Sequence, residues 1–329
     1  MVQSNLYTKM TNLDSIKRAV IEVNGRCNYT CTMCPQSDPG RDKRFLGKMS
    51  LEFFQEVLNK LGYVECIQLE GSGEATLNND LPEYIAKAKK HCDIVNIFTN
   101  GYRLRNDFMR QCVDAGLSMA RFSIIGYNKS TYKKMMNKDA FDFVKDNAIK
   151  MQEYIQKSKS SCIVASYHLI LDENNLKYEI EQYKQNFIIP VQSQASIWKQ
   201  HNWSGVYDNP DKRKGIRKTC GRPFAPEITI RAGGINGKLG AVHPCCQVLG
   251  NDVIAVLGHI SEDSIETIWN NKKYTELRRA HKEKRFDDIE YCKNCDFLIE
   301  DPEVLVYNSN KEVDIYHMIG TTFSLNEYR

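Results

Sequence analysis

Cys27, Cys31 and Cys34 stand in the run Cys-Asn-Tyr-Thr-Cys-Thr-Met-Cys. Thiolates this close together are soft ligands for iron or zinc. A zinc knuckle is one reading of them. The three-then-two spacing differs, however, from zinc ribbons and from ferredoxins. A four-iron cluster ordinarily takes four protein thiolates. Three with no fourth nearby fit a cluster that keeps one iron open, where a substrate or cofactor can bind.

Such thiolates need a rigid frame, and the pattern of apolar residues supplies one. Residues 19–23, 66–69, 94–98, 119–125, 163–171 and 191–196 read as strands. Between them, 51–61, 81–91, 104–115, 131–156 and 176–186 read as helices, the first with Ser50 as N-cap. Six βα units predict an α/β fold, a partial (β/α)6 TIM-like barrel. Chemistry in such folds belongs to loops at the C-terminal ends of the strands. The cysteines fall in the loop after the first strand. Glu70-Gly-Ser-Gly-Glu-Ala-Thr-Leu77 follows the second and Thr99-Asn-Gly101 the third, while Ser123 lies on the fourth. All should face one mouth.

The texture changes after Ser196. A loop-like stretch over 198–218 precedes Cys220, a hairpin turning at Asn236-Gly237, two helices and a Cys-x-x-Cys pair. The reading is a barrel domain over 1–205, a small α+β metal-binding domain over 206–300 and a tail over 301–329.

The chain has 329 residues, 42% of them hydrophobic, and a formal charge of +4. That charge makes no case for nucleic acid as a partner. The basic run over 211–218 reads as a solvated loop. No stretch has the length and purity of a membrane span, and residues 1–17 lack an apolar signal core. A cytoplasmic location is therefore expected, where twelve cysteines argue for metal ligation rather than disulfides.

The cysteine run resembles the cluster motif of radical S-adenosylmethionine (SAM) enzymes. Gly71-Ser-Gly-Glu74 resembles that family's Gly-Gly-Glu-Pro segment, with Ser72 in place of a glycine and Ala75 in place of the proline. Glycines would let backbone carbonyls approach the SAM ammonium closely. The resemblance assigns Cys27, Cys31 and Cys34 to a SAM-binding [4Fe–4S] cluster. It assigns Gly71, Ser72, Gly73, Glu74, Asn100 and Ser123 to SAM, with Met33 beside adenine. The bland reading of Asn100-Gly101 is a turn, and of Ser123 a strand-face hydroxyl. Cys220, Cys245, Cys246, Cys292 and Cys295 resemble the SPASM or twitch domain. That likeness implies one auxiliary [4Fe–4S] cluster on Cys220, Cys245, Cys292 and Cys295, with structural zinc on the same thiolates as the alternative. Cys246 is the surplus thiol. It could replace Cys245, donate a hydrogen atom as a catalytic residue, or pack as a small hydrophobe. The likeness spans about residues 16–297.

The implied activity is reductive cleavage of SAM to a 5′-deoxyadenosyl radical, which abstracts a substrate hydrogen. An auxiliary cluster suits oxidation of a small metabolite or sugar-like molecule. Peptide crosslinking or epimerisation is the second reading, and a zinc or electron-transfer protein without SAM chemistry the third. Only 26 residues precede Cys27, too few for a fused leader-recognition domain. This favours a small-molecule over a peptide substrate. A flavodoxin or ferredoxin would donate electrons.

Overall fold

Strands β1 (Arg18–Ile21), β2 (Val64–Leu69), β3 (Cys92–Thr99), β4 (Met119–Ser123), β5 (Ile163–Ile170) and β6 (Gln194–Lys199) lie side by side in chain order. Each neighbouring pair is parallel. This is the partial barrel expected of six βα units. The computed structural model describes residues 16–298 apart from 43, 45, 208–215 and 250–252, together with two short strands at 304–307 and 322–324.

The connecting helices follow from local chemistry. In α1 (Leu51–Leu61) the Ser50 hydroxyl caps the Phe53 amide at 3.1 Å, and Gly62 ends the helix at φ 73°. Its apolar stripe of Phe53, Phe54, Val57 and Leu58 is buried, as an amphipathic helix against a sheet requires. Helices α2 (Leu81–Ala88) and α3 (Asn106–Asp114) follow the next two strands. The single helix expected over 131–156 is two, α4 (Lys129–Met136) and α5 (Phe141–Ser158). Asn137 separates them in the left-handed conformation, which asparagine tolerates better than most residues. A capping box between Asn128 and Thr131 fixes the start of α4. Helix α6 (Leu176–Tyr183) runs on through a π turn (Lys184–Ile188) into α7 (Ile189–Val191). The sixth strand therefore begins three residues later than its apolar run suggests, after a helical turn carrying Pro190.

Strand β7 (Glu227–Ile230) continues the sheet, pairing in parallel with β1 so that Arg18 faces Glu227. Strand β8 (Ala241–His243) pairs antiparallel with β7, the hairpin expected around Asn236-Gly237, and β9 (Gly258–His259) adds antiparallel to β8. Helices α8 (Ile265–Asn270) and α9 (Lys272–Lys282) pack beyond it. At the other edge β10 (Val304–Tyr307) pairs antiparallel with β6, and β11 (Thr322–Ser324) pairs with β10. Both strands fall within the tail over 301–329, where the sequence pattern marks no element. The expected boundary at 205–206 abuts residues 208–215, which lie outside the described residues, as does most of 301–329. Among the described residues no helix is long and apolar enough to cross a membrane.

Inside the barrel the strands carry polar side chains. Arg18 donates to Gln68 at 3.0 Å and pairs with Glu227 at 3.0 Å, and Arg121 donates to Ser196 at 3.2 Å. A buried arginine is tolerated only with partners of this kind.

Candidate iron–sulfur and SAM site

The loop after β1 carries Cys27, Cys31 and Cys34. Its backbone is fixed by Cys34 N–H to the Cys31 carbonyl at 3.1 Å and by Thr32 N–H to the Met135 carbonyl at 2.9 Å. The Tyr29 and Tyr132 hydroxyls meet behind it at 3.3 Å. Burial, with the nearby Glu74 and Cys34 charges, pushes the Cys27 thiol up to about 12. Burial and the other two thiols raise Cys31, and burial raises Cys34 against the opposing charge of Arg41. Thiols so placed stay protonated until a metal compensates the thiolate charge. A structural zinc site closes on four protein ligands. Cubane thiolates each bind a different iron, so three of them leave one iron open. Cys27, Cys31 and Cys34 are three soft thiols of one loop that line an open cavity, and this donor set fits such a cluster.

The loop after β2 is packed where glycine is obligatory. A Cβ on Gly71 would stand 2.2 Å from Glu22 Oε2, and one on Gly73 would stand 2.3 Å from the Asn24 carbonyl. The crowding comes from the cysteine loop's own base, so the glycines seat one loop on the other. Ser72, in the place of a glycine, donates through both its amide and its hydroxyl to Glu22. The Glu74 carboxylate accepts from Thr76 Oγ1 at 2.6 Å, Thr99 Oγ1 at 2.7 Å and the Asn100 amide at 2.6 Å. It thus clamps the loops after β2 and β3 together, while burial pushes its own pKa above the usual carboxylate range. Asn100 Nδ2 donates to Asn28 at 2.8 Å and lies 4.0 Å from Cys27 Sγ.

These loops enclose a cavity of about 240 Å³ lined by Cys27, Cys31, Met33, Cys34, Gly71, Ser72, Gly73, Glu74, Asn100 and Ser123. All the residues that sequence assigned to the first cluster and to SAM thus share one space. Cys246 lines it too, as do Glu70, Tyr167, Arg222, Trp198 and Trp203. Trp203 Nε1–H donates to the Met33 carbonyl at 2.7 Å, closing the rim. Sequence reading gave no role to Glu70, Tyr167 or Arg222. Glu70 could have been found as the polar residue where β2 enters the glycine loop. Its carboxyl is raised by burial, and Gln68 is its hydrogen-bond partner.

The second thiols separate into two environments. Cys245, Cys220 and Cys295 all act electrostatically on Cys292, and Cys220 and Cys245 act on Cys295. Burial pushes the Cys245 thiol up to about 12, as it raises the others. Cys246 instead accepts from Arg222 Nη1 at 3.4 Å inside the cavity. The Cys-x-x-Cys turn is fixed by Cys295 N–H to the Cys292 carbonyl at 2.9 Å and is tied to the barrel through Asn202, whose amide donates to Asp296 at 2.8 Å.

The Radical SAM superfamily model matches residues 21–177, and the SPASM iron–sulfur cluster-binding domain model matches 236–296. The chain belongs to the radical SAM superfamily and carries a C-terminal SPASM domain, so its cofactors are SAM, the [4Fe–4S] cluster that binds it, and auxiliary iron–sulfur. It is similar to the S-adenosyl-L-methionine-dependent 2-deoxy-scyllo-inosamine dehydrogenase of Niallia circulans, 23% identical over 84% of this chain and 90% of that protein. It is 31% identical to a probable GTP 3′,8-cyclase of Saccharolobus solfataricus, over 38% of this chain and only 40% of the cyclase's length. Among solved structures, BtrN with AdoMet and 2-DOIA superposes with a TM-score of 0.57 at 20% identity, covering 85% of this chain and 92% of that one. Streptococcus suis SuiB bound to precursor peptide SuiA gives 0.59 at 14% identity, covering 90% and 73%. Both are likenesses of fold.

Proposed function

We propose that this enzyme oxidises a small, hydroxylated, sugar-like metabolite by SAM-derived radical chemistry, with one auxiliary [4Fe–4S] cluster accepting the electron. The observation that carries the reading is the adjacency of Cys245 and Cys246. One joins the four-thiol set and the next faces the cavity, so an electron acceptor held by Cys220, Cys245, Cys292 and Cys295 would adjoin the substrate space. The Cα atoms of consecutive residues are about 3.8 Å apart. Similarity to the inosamine dehydrogenase over 90% of its length supports the same reading.

When bound, SAM and its cluster supply the hydrogen-abstracting radical. The chain's own residues do the rest. Cys27, Cys31 and Cys34 hold the cluster. The Gly71–Gly73 segment, Asn100 and Ser123 hold SAM, and Met33 packs beside adenine. Trp203 keeps water from the rim. Glu70, protonated more readily than an ordinary carboxylate, takes up the substrate's hydroxyl proton. A flavodoxin or ferredoxin supplies the reducing electron, and a cytoplasmic location suits twelve free cysteines.

After anaerobic reconstitution, dithionite and SAM should yield 5′-deoxyadenosine. The Cys27→Ala/Cys31→Ala/Cys34→Ala variant should lose that product and keep the auxiliary iron. Zinc binding with no 5′-deoxyadenosine would sink the reading. Peptide modification is the second reading, favoured by the fold shared with SuiB over 90% of this chain.

A further inference from the structure

A second cavity, about 560 Å³ in volume, lies beside the first. It is built at the same end of the barrel, where loops carry binding groups. Tyr127 follows β4, Lys134 and Met135 lie on α4, Leu171 and Asp172 follow β5, Tyr178 lies on α6, and Gln200 follows β6. The two linings draw on nearby positions of the same three segments. Met136, Leu169 and His201 line the first, while Met135, Leu171 and Gln200 line the second. A molecule whose reacting end sits in the first cavity can extend over this rim into the second.

The chemistry of the second cavity is specific. Tyr178 is 58% exposed, unusual for a large aromatic side chain. It is held in place by Tyr127, edge to face with ring centroids 6.0 Å apart. Tyr127 is fixed in turn, its amide donating to Thr131 Oγ1 at 2.9 Å and its carbonyl accepting from Asn186 at 3.0 Å. The exposed ring is therefore a preformed platform. Around it stand Lys134, which makes no hydrogen bond or ion pair among the described residues, and Asp172 with Asn175. Asp172 accepts from the Asn174 amide at 3.0 Å and from Asn175 Nδ2 at 2.7 Å, which orients it and leaves lone pairs for a ligand.

We infer that this groove is a binding subsite for a saccharide or cyclitol ring, the part of the substrate that does not react. The apolar face of such a ring stacks on Tyr178, and its hydroxyls donate to Asp172 and accept from Lys134. Lys134 and Asp172 offer one cation and one anion, while the Glu179 carboxylate in the same lining is already bonded to His168 and to the Leu171 and Asp172 amides, and this balance suits a neutral or zwitterionic ring. The inference deepens the sugar-like reading above, and binding tests it separately from turnover.

The experiment is saturation-transfer NMR on the reconstituted full chain, with methyl β-D-glucopyranoside and D-glucosamine as probes and a short Gly-Ser peptide as the competing class. Ring protons of at least one sugar should receive saturation. Tyr178→Ala should weaken binding about fivefold or more, the loss of one ring contact, and Tyr178→Phe should retain it. Unchanged iron content in both variants would show that the fold is intact. No transfer to either sugar, transfer that survives Tyr178→Ala, or transfer to the peptide alone overturns the inference. Sugar binding without any sugar oxidation would overturn the oxidation reading and leave the subsite standing.

Discussion

Arg231 Nη1 lies 3.4 Å from Glu22 Oε2 with both side chains buried, joining the residue after β7 to the residue after β1. The same carboxylate oxygen accepts from the amide and hydroxyl of Ser72, and the other accepts from the Ala232 amide at 3.2 Å. One carboxylate thus seats the glycine loop and fastens the second segment of the chain to the barrel. Removing it disturbs the SAM pocket and the domain junction together.

Glu22→Gln preserves shape and removes the charge, leaving Arg231 buried beside it. The expected loss is on the order of 3–5 kcal/mol of stability, read by denaturant unfolding, with SAM affinity reduced in equilibrium dialysis. A Glu22→Leu/Arg231→Met double variant should be less damaged than Glu22→Leu alone, because the buried guanidinium that has lost its carboxylate is removed with it. Equal stability of Glu22→Gln and the parent would show that the pair carries nothing.

Cys245 and Cys246 should part company on mutation. Cys245→Ala should reduce iron after reconstitution by one cluster, while Cys246→Ala should leave iron unchanged and alter only what happens in the cavity. Loss of iron in Cys246→Ala with none in Cys245→Ala would reverse the assignment. Iron analysis with electron paramagnetic resonance of the reduced protein separates the cases.

His281 gives the second segment a pH dependence. Burial lowers its imidazole to about 4. Thr219 Oγ1 sits 3.0 Å from Nδ1, and Nε2 has no hydrogen-bond partner among the described residues. The fold favours the neutral ring, so the stabilisation is complete above the unfolded pKa of about 6.5. It is lost as pH falls toward the folded value. The full effect is on the order of 3 kcal/mol, at roughly 1.4 kcal/mol per pH unit. Thermal unfolding between pH 7 and pH 4.5 should fall more steeply in the parent than in His281→Leu. Parallel curves would remove His281 from the account.

Much of the barrel was legible because each parallel strand is an apolar run and each helix carries a capped amphipathic stripe. Ser50 announced α1, and the Asn236-Gly237 turn announced the hairpin. The errors fell where backbone conformation overrode pattern, at the left-handed Asn137 and at the helical turn carrying Pro190. Strands β10 and β11 were missed because edge pairing with β6 depends on a partner far away in sequence. Tyr167 and Arg222 escape the pattern for the same reason, since single polar residues on separate elements have no spacing to betray them, whereas Glu70 stands next to the glycine loop in the sequence.

By itself the sequence determined the cofactor chemistry, because metal-ligand spacing is local and Cys27, Cys31 and Cys34 lie within one short loop. The tertiary structure alone decided that Cys245 and Cys246 face different spaces and that Glu22 governs Ser72. It also decided that Tyr178 stands exposed beside the cavity mouth. The reason is physical. Ligand spacing is written along the chain, whereas direction, burial and partnership across 50 or 209 residues exist only once the sheet has closed and the loops meet at one end.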